Sequence, residues 1–122
     1  MLQRRPLDPL VPIAQQLGAI QSPMVLINVV TVDAKDVDAL LKACEQDANW
    51  MTRQSGYIST QRHRGIGGSC VFLNYALSES VAHFRQAFTP PDFMNALGAY
   101  PSSAVASPHL FEKLAVANLC TA

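Results

Sequence analysis

The run Met24–Val32, MVLINVVTV, constrains this chain more than any other segment. It is β-branched and apolar nearly throughout, which marks a strand covered on both faces. The fold must therefore supply cover on two sides. Asp33 follows as a helix N-cap, with Asp36 and Asp38 in the first turn, where the helix dipole favours negative charge. Val37, Leu40, Leu41, Cys44, Ala48 and Met51 then recur at helical spacing, forming one apolar stripe suited to lie on a sheet. That helix supplies the first layer of cover.

Gly56 ends the helical segment, and Tyr57–Arg64 alternates as a half-exposed strand. Gly65, Gly67 and Gly68 supply a turn, and Ser69–Ala76 returns as the second strand of a hairpin. This glycine run is not a phosphate loop, because it joins two strands and lacks the following Lys. Ser78 or Ser80 caps a second helix whose inward residues are Val81, Phe84 and Phe88, and Pro90 and Pro91 stop it. Asp92–Leu97 reads as a further helical turn ended by Gly98. After a loop rich in Pro, Ser and Ala, His109–Val116 is predicted as the last strand.

The order strand, helix, strand, strand, helix, strand predicts an α+β fold, the ferredoxin-like βαββαβ arrangement with an antiparallel four-stranded sheet. Both helices then cover one sheet face. The other face of so apolar a strand is expected to meet a second copy, sheet on sheet, as a homodimer. Residues 1–23 stand apart as an N-terminal arm. Asp8-Pro9 resembles a helix start and Gly18 a stop, around Leu10, Ile13 and Leu17. The arm either folds back on its own domain, residues 24–119, or lies across a partner.

The length of 122 residues suits one domain with a core of its own. Nine basic residues balance nine acidic ones, without the positive footprint of a nucleic-acid or anionic-membrane binder. No run approaches the ~20 apolar residues of a membrane span. Cys44, Cys70 and Cys120 are an odd number without C-x-x-C spacing, so they build neither a disulfide framework nor a zinc knuckle. Free thiols point to a reducing compartment, and the expected location is the cytoplasm. His63, His83 and His109 share no close ligand spacing, so no metal site is expected.

Several residues stand out against this frame. Asn74 lies in an otherwise apolar strand, where a buried amide must be hydrogen-bonded or cost ~1–3 kcal/mol. It either ties down a loop or serves a site. Asn28 shares a face with Leu26 and Val30, lining a pocket or bonding structurally. His63, between Arg62 and Arg64, has the chemistry of a general base but also the position of a solvated strand end. His83 lies one residue off the helix stripe and is expected to face water. His109 points into a pocket mouth or bonds a loop carbonyl. Trp50, Phe72, Phe84, Phe88, Phe93 and Tyr100 are candidates for the apolar walls of a cleft between helices and sheet, as well as for plain core. Arg85 either clamps an acidic or phenolate substrate or, the commoner case, is a surface residue on the solvent side.

The segments Val25–Asn28, Gln54–Ser59, Val71–Ala76, Ser80–Phe88 and Ser107–Phe111 resemble the antibiotic biosynthesis monooxygenase superfamily, in the expected order and spacing. The likeness spans roughly residues 24–116. It implies a dimeric α+β barrel and, for the best-known members, oxidation of a phenolic fused-ring polyketide by dioxygen with no cofactor. Such a substrate, once deprotonated, passes an electron to oxygen itself. The protein buries the rings, helps remove a proton and stabilises the oxyanion. By this resemblance Asn74 matches the strand-end Asn that polarises a substrate oxygen, with Asn28 and His63 as further catalytic candidates. The family's usual Trp four residues on is Ser78 here, and its helix Tyr falls at Phe84. The expected function is a cofactor-independent monooxygenase acting on an aromatic, polyketide-like or quinol substrate. The alternative is a non-catalytic dimeric module that binds a small apolar ligand. Haem degradation on the same fold is disfavoured, because it calls for an axial His and a Trp that crowds the porphyrin.

Overall fold

The computed structural model describes residues 2–120. Its elements are β1 (Gln3–Arg4), α1 (Ile13–Gln16), β2 (Met24–Thr31), α2 (Val37–Met51), β3 (Tyr57–Arg64), β4 (Val71–Ser78), α3 (Val81–Phe88), α4 (Pro91–Ala96) and β5 (Val105–Phe111). One sheet runs in the order β1-β5-β2-β4-β3. Strands β5, β2, β4 and β3 are antiparallel throughout, the expected ferredoxin-like core. The arm adds a fifth: β1 pairs parallel to β5 through Gln3↔Val105 and Arg4↔Ala106, covering part of an edge otherwise open to stray pairing.

The arm folds back on its own domain. Gln16 carries the attachment, since its side-chain amide donates to the Leu110 carbonyl (2.9 Å) and accepts from the Leu110 N–H (2.9 Å). Its amide thus serves the β5 edge as a neighbouring strand would. The helix itself is shorter than the Asp8-Pro9 signal suggests. Pro12 stands at its N-cap and Leu10 is left exposed.

Three element boundaries differ from expectation. β4 begins at Val71 and runs to Ser78, so Ser78 ends a strand and Ser80 alone caps α3, its Oγ accepting from the His83 N–H at 3.1 Å. β5 occupies the stretch read as a Pro-, Ser- and Ala-rich loop, not His109–Val116. Ala104 and Ala106 are almost wholly buried in one cluster with Leu40 and Ala43 of α2, so these small residues belong to the core and not to a loop. Pro108 is tolerated because β5 lies at the sheet edge there, where β1 covers only Val105 and Ala106. Finally, α2 is rolled about one position from its predicted stripe. Leu40 and Ala43 are buried while Leu41 is exposed, and a 3-10 turn at Ala34–Asp36 precedes the helix.

The core divides in two. Val30, Val32, Leu40, Ala43, Tyr100, Ala104 and Ala106 form one cluster under α2. Met24, Leu26, Val81, Phe84 and Leu110 form the other under α3, with Ile13 and Leu17 of the arm packed against it.

Candidate functional site

Between the sheet and its helices lies a cavity of about 140 Å³. Its floor is the helix-side face of β2 and β4, where alternation places Leu26, Asn28 and Val30 beside Phe72, Asn74 and Ala76. Phe84 and Phe88 from α3, Phe93 from α4 and Tyr100 form apolar walls. Phe84 and Phe88 stack at 5.0 Å between centroids.

Strand register draws one polar row across this apolar floor. Arg62 of β3 is opposite Asn74 of β4, Asn74 is opposite Asn28 of β2, and Asn28 is opposite Pro108 of β5. A bulge between Tyr57 and Ser59 sets the phase of β3 and brings Thr60 to the same face. Asn74 Oδ1 accepts the Thr60 hydroxyl at 2.6 Å, which leaves the Asn74 Nδ2 hydrogens for another acceptor. Asn28 Oδ1 is buried and has no hydrogen-bond partner among the described residues. A donor and an acceptor thus stand side by side in a mostly apolar space.

A second polar group sits on the α2 side. The Tyr100 hydroxyl donates to Asp47 Oδ2 and lies 3.7 Å from Cys44 Sγ, and Arg62 Nη2 donates to the Cys44 carbonyl. Burial pushes the Asp47 carboxyl above its ordinary range, while the Tyr100 hydrogen bond and the Arg62 charge pull it back. Burial likewise drives the Tyr100 phenol far upward, aided by the Asp47 charge, so Tyr100 stays a donor. Asp47, Tyr100, Cys44 and Arg62 all border the cavity.

The structure brings Asn28, Asn74, Phe72, Phe84, Phe88, Phe93 and Tyr100 together around this space. His63 reaches its border but is exposed, and alternation after Arg62 turns its side chain toward the opposite sheet face. Two expected wall residues lie elsewhere. Trp50 ties helices together, donating Nε1–H to the Ala87 carbonyl at 2.9 Å and stacking on Phe93. His109, in register with Ile27 on the helix-free face, lies 3.2 Å from Gln16 Nε2 and edge-on to Phe111. His83 does not simply face water. It borders the cavity, bonds Ser80 Oγ through Nδ1 at 2.6 Å and packs over Gly56. Gly56 has φ +85°, and a Cβ there would come within 2.4 Å of the His83 side chain, so only glycine permits this approach. Ser78, where the resemblance leads one to expect Trp, is buried and its Oγ donates to the Gly56 and Ser80 carbonyls.

Asp47, Thr60, Arg62 and Arg4 went unmarked by sequence reasoning. Arg4 of the arm borders the cavity, its guanidinium 4.8 Å from the Phe88 ring centroid. A signal existed for Asp47, which falls three residues after Cys44 and four before Met51, an acid on the apolar stripe. None existed for Arg62, whose alignment with Asn74 depends on register. Among the described residues no group of three or more His, Cys, Asp or Glu side chains is placed to hold a metal ion.

No family model matches the chain, and no curated protein matches it in sequence. Solved structures do. SnoaB, a cofactor-independent oxygenase from Streptomyces nogalater, superposes with a TM-score of 0.71 at 18% identity, over 80% of this chain and 99% of that one. A candidate monooxygenase from Shewanella loihica PV-4 is 30% identical, with a TM-score of 0.67, over 81% of this chain and all of its own. A candidate antibiotic biosynthesis monooxygenase from Bordetella bronchiseptica gives 0.62 at 18% identity, over 78% of this chain and all of its own. No helix is long and apolar enough to cross a membrane, among the described residues.

Proposed function

Because the chain belongs to the antibiotic biosynthesis monooxygenase superfamily, we propose that its cavity is the active site of a cofactor-independent monooxygenase for an aromatic, polyketide-like or quinol substrate. The observation that carries this reading is the buried, unpartnered Asn28 Oδ1 beside the free amide hydrogens of Asn74. An orphaned buried acceptor costs ~1–3 kcal/mol, a cost offset when a ligand hydroxyl donates to it. A phenol or enol bearing neighbouring oxygens satisfies both amides at once, donating to Asn28 and accepting from Asn74. The aromatic walls take the ring faces.

In an anthrone the reaction converts a ring CH₂ to C=O, one oxygen atom of O₂ entering the substrate and the other leaving as water. The protein's share is to hold the ring, exclude bulk water and stabilise the developing oxyanion at Asn74 Nδ2. His63 is at most a rim group in this scheme. The functional protein is a homodimer joined through the helix-free sheet face.

Ser78 and Phe84 favour a second reading, a binding module without turnover, since neither supplies the Trp or Tyr that the resemblance leads one to expect. Oxygen uptake with an anthrone or a naphthoquinol separates the two. The oxygenase consumes O₂, and Asn74→Ala slows it roughly 10²–10³-fold, as loss of one oxyanion donor does. Ligand binding without uptake across several phenolic substrates identifies the binder.

A further inference from the structure

The Asn pair explains how a substrate oxygen is held, but neither amide can take a proton. Autoxidation of a phenolic ring begins only after a proton has left it. Among the cavity-lining residues of α2, Asp47 is the carboxylate, and its two oxygens are differently engaged. Tyr100 binds Oδ2, whereas Oδ1 has no hydrogen-bond partner among the described residues and is not a sealed, buried atom. Position on the stripe between Cys44 and Met51 turns this acid toward the sheet. Arg62 links the two sites, since it is opposite Asn74 on the floor while its guanidinium reaches α2 at the Cys44 carbonyl.

We propose that Asp47 is the proton acceptor of this cavity, a catalytic residue that removes the acidic ring proton of the substrate through Oδ1, with Tyr100 as the positioning residue that holds Oδ2. This rests on the monooxygenase reading above. In the step the substrate's C–H or O–H bond breaks, its electron pair stays on the substrate as the carbanion or phenolate, and the proton forms an O–H bond on Asp47. No oxidant takes part until the anion exists. The groups facing Asp47 are Tyr100 from the segment before β5, Arg62 from β3 and Cys44 one turn back on its own helix. Burial raises the carboxyl toward the basicity such a transfer needs.

The test is exchange of the acidic ring CH₂ hydrogens of an anthrone with D₂O, followed by NMR without oxygen in the presence of the full chain. Proton removal is thus read separately from oxygenation. The wild type is expected to accelerate exchange, Asp47→Asn to lose about 10²–10⁴-fold of that acceleration, and the rate to fall on the acidic side as Asp47 protonates. Tyr100→Phe removes a bond that favours the ionised carboxyl, so its acidic limb moves to higher pH, a shift readable even if Asp47→Asn folds poorly. Undiminished exchange in Asp47→Asn overturns the proposal, as does an unmoved limb in Tyr100→Phe. Oxygen uptake without exchange overturns it and leaves the monooxygenase reading standing. Exchange that is lost in Asp47→Asn, without oxygen uptake by the wild type, upholds Asp47 and removes the oxygenase.

Discussion

One sheet presents two unlike faces. Toward the helices, Leu26, Val30, Ala106 and Leu110 are buried, and the polar atoms among them are few and placed in register. On the other face, Val25 is closed over by its neighbours, but Ile27, Val29, Leu73, Tyr75 and Leu77 remain half-exposed, and Val71 and Phe111 are about 40% exposed. The helix-side face is therefore a finished core with a cavity left in it, and the other is a hydrophobic surface with no covering layer among the described residues. On the homodimer proposed above, a sheet apolar on both sides and helical on one is half of a sandwich.

The sharpest way to break this contrast is to charge the helix-free face. Ile27→Asp places a carboxylate at the proposed twofold interface, and symmetry buries two of them. At roughly 3–5 kcal/mol for each unpaired buried charge, self-association weakens by about 10⁴-fold or more, read by sedimentation at micromolar concentration. A wild type that is already monomeric there ends the sandwich interpretation.

Phe84→Ala probes the finished face. It empties the α3 wall, where Phe84 is 4% exposed, and is expected to cost about 3–5 kcal/mol in denaturant unfolding. A much smaller loss would show that the two core clusters do not depend on this wall.

The smallest expected effect carries the opposite sign. Asn28→Leu replaces the unpartnered buried oxygen with a side chain of similar size, so stability should rise by about 1–3 kcal/mol while phenolic ligand binding is lost. A destabilised Asn28→Leu would mean that Asn28 serves the fold and not a ligand.

Much of this was legible in the chain. The Met24–Thr31 strand, the Tyr57–Arg64 strand and the Val81–Phe88 helix stand where periodicity and the glycine and serine signals place them. The likeness of Asn74 to a family position singles out a residue that lines the cavity floor. What was misread follows a pattern. Ser, Pro and Ala are loop signals locally and put the expected last strand too late, yet Ala104 and Ala106 are buried in the core cluster with Leu40 and Ala43 of α2. Residue type alone leaves Trp50 and His109 open between cavity and plain structure, and helix packing and strand alternation send both away from the cavity.

Sequence by itself determined the order of elements and the need for cover on both sides of the first strand, because apolar periodicity is a property of neighbouring residues. Tertiary structure decided the site. The alignment of Arg62, Asn74 and Asn28 depends on pairing between distant strands, which is set by contacts across the fold and which no local pattern encodes.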